Sequence, residues 1–346
     1  MTAMTAAKEA AWGHEGRHYA ASADDVSRAA ERSGGTVENR WTLALEQASP
    51  GIRDSVERTY KQWNTILRDY LRTETALRLT VGGESQSVPV KLVAGMPKRF
   101  AEVMREFEGL EWLLLNRPAV EAAKSGTEFM ESYYDEVRVT KRDQAGLANV
   151  TEIHRVHETA KAWLETLEDA RVVDRIIGIE EDVLGAYFFR LPEIRLYWVV
   201  IGICARALGV SADALTIVVL THELAHAYTH LRRDIDNERW ETEKFAAADL
   251  RIVEGLAQFY TQVICQRLEP RMPAALKAFM ALLDKQNDAY KTHCKWVGND
   301  ERGGEIVRVS MIECRSRGIT ASSDFTKAID RYRADVRGRK GPLKHG

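Results

Sequence analysis

Long apolar runs are missing from this chain of 346 residues. The longest, 196–205, ends at Arg206 and is about half the ~20 residues that a membrane-spanning helix needs, so it reads as buried core and no membrane partner is expected. The first residues carry no apolar stretch of signal-peptide length, which argues against secretion by that route and makes a cytoplasmic protein the expectation. An excess of one charge is missing too. Lys and Arg number 49 against 51 Asp and Glu, and the net charge of −2 gives no global field toward nucleic acid or an anionic surface. Only four cysteines occur, Cys204, Cys265, Cys294 and Cys314, with no CxxC pair among them, so they read as reduced thiols. Phosphate loops are excluded as well, because Gly82-Gly83 and Gly303-Gly304 lack the lysine and following helix such loops require.

What remains is an ordinary globular composition, 45% hydrophobic and 29% charged, sufficient for a core of its own. Its length allows one large domain or two ordinary ones. Residues 1–45, rich in Ala, Ser, Gly and charge without sustained periodicity, read as a flexible or loosely helical arm. Residues 46–180 read as a mainly helical region. It opens after Ser49-Pro50 with Ile52, Val56, Tyr60, Trp63, Ile66 and Leu67 at helical spacing. A β-hairpin is expected near 76–93, where apolar residues alternate on both sides of Gly82-Gly83, and Pro89 puts its second strand at an edge or a bulge. Helical patterns follow to about residue 170, with breaks near Pro118, Gly126 and 141–146.

In the region 181–335 an aromatic-rich strand at 185–189 precedes three expected helices, at about 197–208, from Ser211 onward, and at 241–268. A basic flexible tail, 336–346, closes the chain. The fold class expected is α+β, predominantly helical, with a small sheet.

The chemistry concentrates in the second of these helices, which contains Thr221-His222-Glu223-Leu224-Ala225-His226. Histidines four residues apart stand one above the other on one helical face and can chelate a single ion. Zinc suits neutral imidazole and needs only about three protein ligands in a catalytic site, which leaves a position for water. Glu223, beside the first histidine, is then placed to take a proton from that water.

The third ligand must come from elsewhere, since His230 lies about 12 Å along the axis from His222. Most downstream acids sit in polar sequence, but Glu254 stands in the apolar stretch Leu250-Arg-Ile-Val-Glu-Gly-Leu-Ala-Gln-Phe-Tyr, where an unpaired carboxylate is expensive and a metal would compensate it. The competing explanation is a buried ion pair with Arg251 or Arg232. Gly255 and Ala257 are small, which would let this helix approach the histidine helix closely. Gln258, one turn beyond Glu254, is a candidate to orient a metal-bound histidine. The pair His154 and His157, on a charged segment, reads as a surface helix face.

These motifs resemble the gluzincins, HExxH zinc peptidases whose third ligand is a Glu on a following helix. The 28-residue step from His226 to Glu254 (254 − 226) and the wording Glu-Gly-Leu-Ala look most like the clostridial-type collagenases. The likeness covers about 184–265. It implies a zincin-like catalytic domain, Zn2+ on His222, His226 and Glu254, Glu223 as general base, and a peptide or protein substrate. It further implies that Gly185, Ala186 and Tyr187 form an edge strand on which substrate backbone docks, and that one of Tyr228, His230, Tyr260, Tyr290 and His293 stabilises the oxyanion. The chain departs from many gluzincins at Gln258, where they carry an acid, which leaves either a weaker support for the histidines or an orienting carboxylate from Asp249 or Asp236. A second reading keeps the zincin scaffold but makes it a binding or regulatory protein, although Glu223 has no task in a purely structural site.

Overall fold

The computed structural model describes residues 36–77, 88–140, 144–179, 183–234, 237–297 and 302–338. In chain order these form α1 (Thr36–Ala48), α2 (Ile52–Thr75), β1 (Val90–Val93), α3 (Lys98–Glu106), α4 (Glu111–Leu115), α5 (Arg117–Thr140), α6 (Gln144–Asp169) and α7 (Val172–Ile177). Then come β2 (Gly185–Phe188), β3 (Glu193–Tyr197), α8 (Trp198–Leu208), α9 (Ala212–Leu231), α10 (Thr242–Ala247), α11 (Leu250–Leu268) and α12 (Pro273–Lys285). Last are α13 (Asp288–Lys291), α14 (Cys294–Val297), α15 (Gly303–Arg317) and α16 (Ser322–Gly338). The protein is therefore predominantly helical with one small sheet, as the sequence led us to expect.

α9 is the axis of the molecule. Every side chain from Ala214 to His230 is buried, as expected of a helix that is apolar nearly all round. Its start is built carefully: Ser211 Oγ accepts the Ala214 amide at 3.2 Å, and Asp213 sits in the positive first turn. Asp213 Oδ1 also accepts hydrogen bonds from Ser55 (2.6 Å) and Thr59 (2.9 Å), which pins the beginning of α9 to α2. α2 and α11 flank α9, with β2, α8 and α12 completing its surroundings.

The sheet has strand order β1-β3-β2, with β1 parallel and β2 antiparallel to the central β3. β1 and β2 are thus its edges. Pro89, with no amide to donate, sits just before edge strand β1 and uses its carbonyl to accept from Ile194 at 2.9 Å.

Several expectations need correction. The arm does not extend to residue 45: residues 36–48 form α1, which buries Trp41 and Leu45 completely. The second strand of the expected hairpin exists as β1, but its partner is β3 in parallel register, Val90 opposite Ile194; residues 78–87 lie outside the described residues. Gly126 does not break α5, and Pro118 stands in its first turn, where a missing amide costs nothing. The expected helix 241–268 is two, α10 and α11, separated at Ala248 and Asp249, because Asp249 caps α11 by accepting the Arg251 amide. Helix α16 continues to Gly338, so the expected tail from 336 begins inside it.

The regions 46–180 and 181–335 share one buried cluster running from Trp41 to Ile329, and β1 of the first pairs with β3 of the second. Among the described residues no helix is long and apolar enough to cross a membrane. Cys204, Cys265 and Cys314 are buried free thiols and Cys294 is an exposed one.

Candidate metal centre

α9 and α11 lie side by side, and three of their side chains converge. His222 Nε2 stands 3.1 Å from Glu254 Oε2, His226 Nε2 stands 3.6 Å from the same oxygen, and the two imidazole nitrogens are 3.0 Å apart. All three residues are buried. Their ligand atoms lie within 4.8 Å of one another. Tetrahedral ligands at ~2.0–2.1 Å from one zinc stand about 3.3 Å apart, and the three observed separations bracket that value.

Protons alone fit this arrangement poorly. Each imidazole Nε2 carries at most one proton, so the short contacts of His222 Nε2 to His226 Nε2 and to Glu254 Oε2 can share only one N–H of His222 between them, and the third contact, at 3.6 Å, is too long for a hydrogen bond. A cation at the centre satisfies all three, and the donor set of two imidazoles and one carboxylate is one that zinc takes. Burial by itself would raise the Glu254 carboxyl, but the charge and hydrogen bonds of His226 and His222 outweigh it and hold the group below the usual carboxylate range. Neither arginine weighed as its partner is involved: Arg232 lies over the Tyr228 ring at 4.9 Å, and Arg251 is exposed.

Glu223, 2% exposed, lines the same cleft as His222. β2 comes so close here that a methyl group on Gly185 would lie 3.0 Å from Glu223 Cγ and Oε1. The glycine is what lets the strand approach the helix. Gly255 has a different task from the one expected: its hydrogen faces Trp296, whose Cη2 would lie 2.4 Å from an added methyl, so the small residue serves the packing of α14 rather than the approach of α9.

The candidate oxyanion donors separate cleanly. Tyr290 lines the cleft and its ring stacks on His222, with centroids 6.1 Å apart and planes at 28°. His230 is turned away: its ring lies 2.9 Å from the Tyr187 hydroxyl and 3.2 Å from Thr242 Oγ1, and stacks on Phe245. Burial, aided by the charges of Arg239 and Arg315, pushes His230 down to about 4, so it is a neutral core histidine tying β2 to α10. Tyr260 is buried and donates to Met311 Sδ. Tyr228 donates to the Arg68 carbonyl, and His293 contacts the Tyr290 carbonyl and Gln262.

Gln258 reaches the cleft, but its amide donates to Gln286 Oε1 at 3.0 Å rather than to a histidine. Asp249 is occupied as a cap and Asp234 accepts the Glu238 amide; Asp236 lies outside the described residues. His154 pairs with Glu131 on the exposed surface between α5 and α6, as a surface helix face should. Sequence reasoning missed Gln286, and it missed the apolar cleft wall formed by Ile177, Val183 and Leu282. Both depend on how α7 and α12 pack, which no local pattern displays.

The chain was compared with protein-family models, with curated proteins and with solved structures, and none of them matches. What the site does must therefore be argued from its own geometry.

Proposed function

We propose that this chain is a zinc metallopeptidase of zincin-like design, with the metal on His222, His226 and Glu254. The observation that carries the reading is the buried convergence of two histidines and a carboxylate from adjacent helices, with a further carboxylate, Glu223, beside them at a cleft. Zinc held there would supply a Lewis acid and a water of lowered pKa, toward ~7. Glu223 would take the proton of the attacking water and return it to the leaving amine as the C–N bond breaks. Tyr290 is the donor best placed to stabilise the developing oxyanion. β2, an edge strand among the described residues, offers Gly185, Ala186 and Tyr187 for pairing with extended substrate.

The test is metal content by elemental analysis together with peptide turnover. About one zinc per wild-type chain, clear loss in Glu254→Ala, and retained zinc with turnover lowered by two or more orders of magnitude in Glu223→Gln is the expected pattern. Wild-type protein that takes up no zinc when it is supplied would end the reading.

A further inference from the structure

The cleft beside Glu223 is lined mostly by apolar side chains: Ile177 at the end of α7, Val183 before β2, Val218 and Val219 of α9, and Leu282 of α12. Two carboxamides interrupt this lining. Gln258, 2% exposed, donates to Gln286 Oε1 at 3.0 Å, and among the described residues neither side-chain amide bonds to anything else. That single link uses one donor hydrogen and one acceptor oxygen. A carboxamide pair carries several more of each.

Polar groups in apolar surroundings require partners, and here the space next to them is the cleft itself. A purely aliphatic substrate side chain would cover the amides without bonding to them. A charged one would meet no counter-charge, because the only ionisable side chains among the described lining residues, His222, Glu223 and Tyr290, belong to the reacting centre.

We infer that this cleft is the pocket that sets specificity, and that Gln258 and Gln286 select an uncharged substrate side chain ending in a carboxamide, glutamine foremost. Its methylenes lie along the valines and leucine, and its own donor and acceptor complete the amide pair. The inference rests on the peptidase reading of the site. It assigns to Gln258 a specificity role in place of the histidine-orienting role expected of that position.

Two measurements test it. Peptides differing only in Gln, Leu, Glu or Lys beside the scissile bond are compared by kcat/KM. Two dipeptide hydroxamates, which anchor on the metal whether or not the chain turns over and differ only in Gln or Leu, are titrated calorimetrically into zinc-loaded protein. The wild type is expected to favour glutamine at least tenfold in both series. Gln258→Leu, close in volume, should reverse the order in favour of leucine, with the change falling in KM. Gln286→Leu gives the same readout at a less buried position if the first variant folds poorly. Equal or better binding of leucine by the wild type, a preference for Lys or Glu, or an equal loss for both compounds in the variants would overturn the assignment and leave the amide pair as a strut between α11 and α12. Discrimination between the hydroxamates with no peptide cleaved would retain the pocket and remove the peptidase reading. Cleavage without discrimination would do the reverse.

Discussion

Gly185 sits where a methyl group would lie 2.8 Å from Val219 Cγ1 and 3.0 Å from the Glu223 carboxylate. Contacts that short force either the strand or Glu223 to move, and misplacing a catalytic group by about 1 Å costs on the order of 100-fold in rate. Gly185→Ala should therefore lower kcat by about two orders of magnitude while zinc content stays at wild-type level; unchanged kcat would show that Glu223 does not depend on this approach. His230 supports a second prediction of the opposite kind, one of stability and not of turnover. Its folded pKa, pushed by burial to about 4, lies below its ordinary 6.5. Between those values the unfolded chain binds a proton that the folded chain refuses, so stability is full above about pH 6.5 and falls as pH drops toward 4. The loss amounts to about 3 kcal/mol. Urea unfolding from pH 7 to 4.5 should show this slope in wild type and a shallower one in His230→Gln, where His293, also pushed down by burial, still contributes. At this scale the sequence was informative wherever residue type and spacing carry the chemistry. His222, Glu223 and His226 follow from helical spacing, and Glu254 follows from the cost of a buried carboxylate. Among the five candidate oxyanion donors no local pattern distinguishes Tyr290, whose ring packing sets against His222.

At the scale of elements, α11 is held from two sides. Glu254 faces α9, while Gly255, one residue on, faces Trp296 of α14. An added methyl there meets the indole ring at 2.4 Å, and the ring is 3% exposed and packed edge-on against Phe325, so it has little room to retreat. Overpacking of this kind costs typically 1–3 kcal/mol. Gly255→Ala should reduce unfolding free energy by about that amount in denaturant titrations, and zinc affinity should fall with it if α11 shifts; a variant as stable as wild type would mean that the α14 contact is soft. Elements were legible where their ends carry chemistry: Ser211 announced α9, and Pro89 announced an edge strand. β3 was missed because the apolar run 196–205 crosses from strand into helix without a break. Its alternation, Ile194 and Leu196 inward with Glu193 and Arg195 outward, is only five residues long.

At the scale of the whole molecule, the boundary near residue 180 divides the sequence but not the core. β1 joins β3 across about a hundred residues of chain, and α2 lies along α9, contacts whose sequence separation hides them from any window of local pattern. This predicts how far the influence of the metal reaches. A ligand that binds only the folded chain stabilises it by about 2.7 kcal/mol at a hundredfold excess over Kd, which at about 2.1 cal/mol/K of unfolding entropy per residue moves the Tm of a chain of 346 residues by about 4 °C. Stripping zinc with a chelator should lower Tm by that amount in wild type and leave Glu254→Ala unmoved. Hydrogen exchange should then show α2, β1, α9 and α11 losing protection together, since they share one buried cluster. The α5–α6 pair, whose helices pack chiefly on each other, should change little. If protection falls only after residue 180 while α2 and β1 keep theirs, the two regions fold independently and the metal serves only the second.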